Sequence, residues 1–123
     1  MLVPLFYLAH GRTGDKGDSQ TASLIPYDRA DYALLAQAVT PAAVKRHFGP
    51  LVEGEVHRYD LPLIGAFNFV LEGALQGGVN DSLALDTHGK SRSAVLLALR
   101  IDLPDDHAAS RRCRADRQQD RGE

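Results

Sequence analysis

Cys113 is the only cysteine in the 123 residues. An internal disulfide is therefore impossible, and so is a four-cysteine iron–sulfur cluster within one chain. There is no excess of positive charge either. Fourteen Lys and Arg stand against sixteen Asp and Glu, a net charge of −2, which argues against a protein whose main partner is nucleic acid. No apolar run is long enough to span a membrane. The longest at the start, Leu2 to Ala9, is short, lacks a basic leader and is interrupted by Pro4, so it does not read as a signal peptide. The expected location is the cytoplasm. Also missing are a G-x-S-x-G nucleophile elbow, a His pair at helical spacing and any internal repeat. His10, His57 and His88 are too scattered to suggest a metal site, and only His10 merits attention. No cofactor is expected.

What is present suits one soluble domain able to bury a core unaided: 44% hydrophobic and 24% charged residues. The richest stretch is His10-Gly11-Arg12-Thr13-Gly14-Asp15-Lys16-Gly17-Asp18-Ser19. Its residue types admit three readings. It is an ordinary turn, since Gly and Asp favour turns. It is an anion cradle, with backbone N–H groups turned to a ligand beside Arg12 and Lys16. Or it is a divalent-cation site through Asp15 and Asp18.

On either side lie predicted elements. Leu2–Ala9 and Thr21–Ile25 read as strands. Asp28–Val39 reads as a helix capped by Asp31, with Tyr32, Leu35, Ala36 and Val39 on one face. Thr40-Pro41 opens a second helix that buries Val44 and Phe48 and stops at Gly49-Pro50. Glu53–Leu61 reads as a strand. Gly65–Leu75 reads as an amphipathic helix with a stripe of Phe67, Val70, Leu71 and Ala74, ended by Gly77-Gly78. Ser82–Asp86 reads as a strand. Ser91–Arg100 suits a helix capped by Ser91, although the apolar run Val95–Leu99 would also suit a buried strand. The sum is an α+β two-layer sandwich, ferredoxin-like, with helices packed on a mainly antiparallel sheet over residues 1–103. Residues 104–123 carry five acids, five arginines and almost no large apolar side chain. That composition predicts a disordered polar tail.

Gly89-Lys90-Ser91 resembles the end of a nucleotide-binding P-loop, but Ala84 stands where its first glycine belongs, which excludes ATP hydrolysis there. A reduced anion site remains, with Lys90 and the helix opened at Ser91, against plain capping. Asn68, between Phe67 and Phe69, needs a hydrogen-bond partner or a solvated face. In the helical reading it braces the glycine-rich stretch or the Gly77-Gly78 turn, with Arg58-Tyr59 alongside. Cys113 sits in the expected tail without a base to activate it.

Taken together, these motifs resemble one family. Leu8-Ala9-His10-Gly11-Arg12-Thr13-Gly14-Asp15-Lys16-Gly17-Asp18 is similar to the signature LAHxRSGDKGD of the small ferredoxin-like domain of acyclic-terpene-utilisation (AtuA-type) proteins. Thr40 with Val44 and Phe48, Arg58-Tyr59, Asn68-Phe69 with Gly77-Gly78, and Ser82-Leu83 through Asp86 to Gly89-Lys90-Ser91 follow in the family's order. Thr13 replaces the usual Ser, and Gln20-Thr21 stands where many members carry a small residue and Asn. The resemblance implies a stand-alone version of that domain, acting as an accessory subunit beside a larger AtuA-type protein in the breakdown of branched or terpenoid acids as coenzyme A thioesters. The candidate binding residues are His10, Arg12, Asp15, Lys16, Asp18, Asn68, Lys90 and Ser91. Two alternatives stay open. One is a small lyase, hydratase or isomerase of an acyl thioester, with His10 or Asp15 as general acid or base. The other is a binding module for an anionic metabolite such as a coenzyme A thioester. Self-association is compatible with all three.

Overall fold

The computed structural model describes residues 1–16, 19–74 and 90–122. The expected strand at Ser82–Asp86, the glycine pair Gly77-Gly78, and Gly17, Asp18 and Gly89 lie outside them, as do the side chains of Asp15, Lys16, Lys90 and Ser91.

Strand β1 (Leu2–Pro4) pairs with β6 (Arg100–Asp102) in a two-stranded ribbon. The second sheet has four strands in the order β2 (Ala9–Lys16), β3 (Ser19–Pro26), β5 (Ala66–Leu71) and β4 (Val56–Leu61). Every pairing between the described strands is antiparallel. Helices α1 (Tyr32–Ala38), α2 (Pro41–Phe48) and α3 (Lys90–Leu97) contribute Leu35, Val44, Phe48 and Leu96 to a core shared with Ala22, Leu24, Phe67, Phe69 and Leu71. Among the described elements α3 lies against β2, and α2 against β4. The fold is thus the expected α+β two-layer arrangement, helices on an antiparallel sheet.

Local chemistry explains the α1–α2 corner. Thr40 Oγ1 accepts from the Ala43 N–H at 3.1 Å, Pro41 occupies the first turn, and Gly49 ends α2 with φ of +58°. Asp31 does not cap α1 as expected. Asp28 instead takes the Ala30 N–H at 2.9 Å to open a 3-10 turn at Arg29–Asp31, and the Asp31 carboxylate is held by His107 at 2.9 Å.

Three further expectations are corrected. Leu2–Ala9 is not one strand: a 3-10 turn at Leu5–Tyr7 follows Pro4, which cannot donate to a continuing ladder. Gly65–Leu75 is no helix, because Ala66–Leu71 is strand β5. Phe67, Phe69 and Leu71 are buried on one face while Asn68 and Val70 are half-buried on the other. Phe67, Leu71 and Ala74 are buried as the helical stripe required, but Val70 of that stripe is only half-buried and Phe69 outside it is fully buried, which is the strand period. Aromatic and β-branched residues suit the pleated surface, and pairing with both β3 and β4 decides it.

Nor is the polar C-terminal stretch an unordered tail. Residues Ala108–Gly122 form helix α4. It docks through Ala109, Ser110 and Cys113, an i, i+4 stripe too narrow and small to register as amphipathic. Polar ties do the rest. Ser110 donates to the Pro104 carbonyl at 2.8 Å, Arg112 to the Tyr7 carbonyl at 2.7 Å and Arg114 to the Asp105 carbonyl at 2.8 Å. The Tyr7 hydroxyl donates to Asp116 at 2.6 Å, and this carboxylate acceptor pushes the phenol pKa up to about 12.

Candidate functional site

The signature stretch at residues 10–19 is strand for most of its length. Residues 9–16 pair with β3, from Ala9 opposite Pro26 to Lys16 opposite Ser19. Successive N–H groups of a strand point in opposite directions. They cannot converge on one anion as they do in a nest, so the cradle reading fails for residues 10–16. Gly11 has a packing role instead. A Cβ there would lie 2.9 Å from the Ser23 carbonyl oxygen and 3.8 Å from the Leu97 side chain. A bare Cα at this point leaves room for the Ser23 carbonyl of β3, while the Leu97 side chain of α3 stands at ordinary contact distance.

The strand register sorts the signature residues onto two faces, because side chains alternate along each strand. On the helix-covered face, Thr13, Ala22, Phe69 and Arg58 form one cross-strand row. Arg58 there is a structural strap. It donates to the carbonyls of Ala36 at 2.7 Å and Val39 at 3.1 Å, satisfying the orphan acceptors at the end of α1. Its guanidinium stands 5.3 Å from the Phe67 ring centroid and pairs with Asp60 at 2.8 Å. It therefore does not join Asn68.

Among the described residues, no helix of the core layer lies on the other face. Arg12, Ser23, Asn68 and Tyr59 lie in one row across all four strands. Ser23 donates its hydroxyl hydrogen bond to Asn68 Oδ1 at 3.3 Å. The amide thus points away from Phe67 and Phe69, and its partner Ser23 lies directly opposite Arg12 on the adjacent strand. Neighbouring strands are about 4.8 Å apart, so the row extends roughly 14 Å. That suits an extended surface better than the grip of one small molecule.

Two apolar features border this row. His10, opposite Ile25, stacks on Tyr27 with ring centroids 5.5 Å apart. The β4–β5 hairpin tip presents Leu63 at 91% and Ile64 at 68% exposure, beside Tyr59 at 54%. This tip is held in place. Arg29 donates to the Pro62 carbonyl at 2.7 Å and the Leu63 carbonyl at 3.0 Å, and the Gly65 N–H closes back on Pro62.

At the opposite end of the face, His57 Nε2 lies 2.7 Å from Glu72 and 3.8 Å from Glu55. The sequence reading passed over this pair. The alternation of β4 and β5 was its signal, and the helical reading of residues 65–75 concealed it.

The structure brings Arg12 and Asn68 onto one face, with His10 on the same side of β2. Asp15 is backbone-paired with Gln20 and Lys16 with Ser19. The backbone of both Lys90 and Ser91 lies within α3. Among the described residues no cluster of three or more His, Cys, Asp or Glu could hold a metal ion.

The family model of the AtuA ferredoxin-like domain matches residues 3–102. The chain belongs to this family. The match takes in both sheets, α1, α2 and α3 of this AtuA-type domain and stops at the end of β6, leaving α4 outside it. No curated protein and no solved structure matches the chain. Among the described residues, no helix is long and apolar enough to cross a membrane.

Proposed function

We propose that this AtuA-type domain is an accessory subunit. It docks through the open sheet face onto a larger AtuA-type protein that acts on branched or terpenoid acids as coenzyme A thioesters. The observation that carries this reading is the composition of that face. A rigid apolar tip, Leu63 and Ile64, stands next to exposed aromatic rings and a polar row from Arg12 to Tyr59. Interfaces favour such a pattern, apolar anchors beside aligned polar groups. Fixing the tip beforehand lowers the ordering cost of association. Family membership supports a partner of the AtuA type. Co-purification tests the reading: a tagged chain co-expressed with a larger AtuA-type protein should retain it, and Leu63→Asp with Ile64→Asp should release it.

A second reading rests on the His57–Glu72 pair. A carboxylate can orient an imidazole as a general base, here in a small lyase, hydratase or isomerase of an acyl thioester. In that case His57→Gln abolishes turnover by the purified chain and leaves capture of the larger protein intact.

A further inference from the structure

The helix layer contains a second feature, separate from the open face. Between the C-terminal half of α2 and strand β6 lies a cleft of about 430 Å³. Two cations border it, Arg46 from α2 and Arg100 from β6. Both are exposed, and neither makes a hydrogen bond or ion pair of its guanidinium among the described residues. The lining also includes the aliphatic side chains of Ala38, Ala43 and Leu99, together with His47. Asp102 also borders the cleft, but its carboxylate is engaged at 3.1 Å by the N-terminal ammonium of Met1. The cleft is braced from below: the His47 ring nitrogen Nε2 binds the Val95 carbonyl and ties α2 to α3.

These contents select a ligand chemistry. Guanidinium groups present planar donor forks that match carboxylate oxygens. Two of them bordering one cleft, neither paired among the described residues, leave donor capacity for an anion. The aliphatic wall gives a bare inorganic anion nothing to bury, whereas it shelters a short hydrocarbon chain. A volume of about 430 Å³ falls within the range of small-molecule sites. We propose that this cleft binds a small monocarboxylic acid, its carboxylate between Arg46 and Arg100 and its aliphatic body along Ala38, Ala43 and Leu99. The site is independent of the docking face, so the loss of one leaves the other testable.

Calorimetric titration of the full chain tests the assignment, with acetate, butyrate, hexanoate and inorganic phosphate as probes. Affinity should climb from acetate to hexanoate by about two- to fourfold per methylene as the chain covers the aliphatic wall. Phosphate should bind more weakly than hexanoate. Arg46→Gln combined with Arg100→Gln should lower hexanoate affinity at least tenfold while circular dichroism and melting temperature stay as in the wild type, both positions being exposed. Arg111→Gln, an exposed charge change on α4, should leave it unaltered. A series flat in chain length, phosphate equal to or tighter than hexanoate, unaltered binding by the double variant, or no saturable binding would each overturn the proposal.

Discussion

Ser23 and Asn68 sit opposite each other on adjacent strands, with the hydroxyl 3.3 Å from the amide oxygen. Both are half-buried, and both face away from the Phe67–Phe69 core. This pair marks where core packing ends and the polar row of the opposite face begins. Asn68→Leu should therefore change stability by less than about 1 kcal/mol, since one partly solvated hydrogen bond is lost and apolar surface is gained. Its neighbour Phe69, fully buried, should cost about 3–5 kcal/mol on truncation to Ala. Denaturant unfolding of the two variants checks the contrast, which inverts if residues 66–71 were helical with Asn68 turned to the core.

Arg58 belongs to the same family motif as Tyr59 yet serves the fold. Truncation to Ala strips the α1 end of donors to Ala36 and Val39. The expected loss is about 2 kcal/mol, from orphaned carbonyls and the lost contact with Phe67. Arg58→Lys should recover only part of it, because an ammonium cannot fork between two carbonyls and Asp60 at once. Urea midpoints of the three proteins provide the test.

At Gly11 the obstacle to a side chain is backbone, the Ser23 carbonyl oxygen at 2.9 Å. A main-chain atom within a ladder cannot swing aside. Gly11→Ala should destabilise by about 1–3 kcal/mol, although Ala ordinarily suits a strand better than Gly. A variant as stable as the wild type would refute the close approach of the Ser23 carbonyl to Gly11.

Tyr7 links the family domain to α4. Its folded pKa, about 12, lies above the ordinary 10 because the hydroxyl donates to Asp116. A raised pKa means that folding favours the protonated phenol. The contribution is fully present below pH 10 and is lost as pH rises toward 12. Ultraviolet titration should show one tyrosine ionising late. Tyr7→Phe should remove that late step, and its melting temperature should fall less between pH 10 and 12 than that of the wild type.

Much of the fold was legible because its cues are local. The Thr40-Pro41 start and the Gly49 stop of α2 are written in adjacent residues and appear as expected. The signature order was legible as well, and it led to the family. What escaped depends on partners distant in sequence. Residues 66–71 satisfy two periodicities, and only β3 and β4 choose between them. The Gly11–Lys16 stretch looks like a loop until its register with β3 draws it into the ladder. Helix α4 has only small buried residues, Ala109, Ser110 and Cys113, and holds by ties to Tyr7 and Asp31 more than seventy positions away. The face carrying Arg12, Asn68 and Tyr59 follows from that register, as does the neighbouring His57–Glu72 pair.

The central claim is that the open face with its pinned hairpin tip binds a larger AtuA-type protein. Its most direct test is the affinity of the purified chain for such a protein, measured with the wild type and with Leu63→Asp/Ile64→Asp, whose exposed positions spare the core. A saturable complex with the wild type, weakened at least tenfold in the variant (about 1.4 kcal/mol), is the expected result. No complex with the wild type, or equal affinity for both, would contradict it.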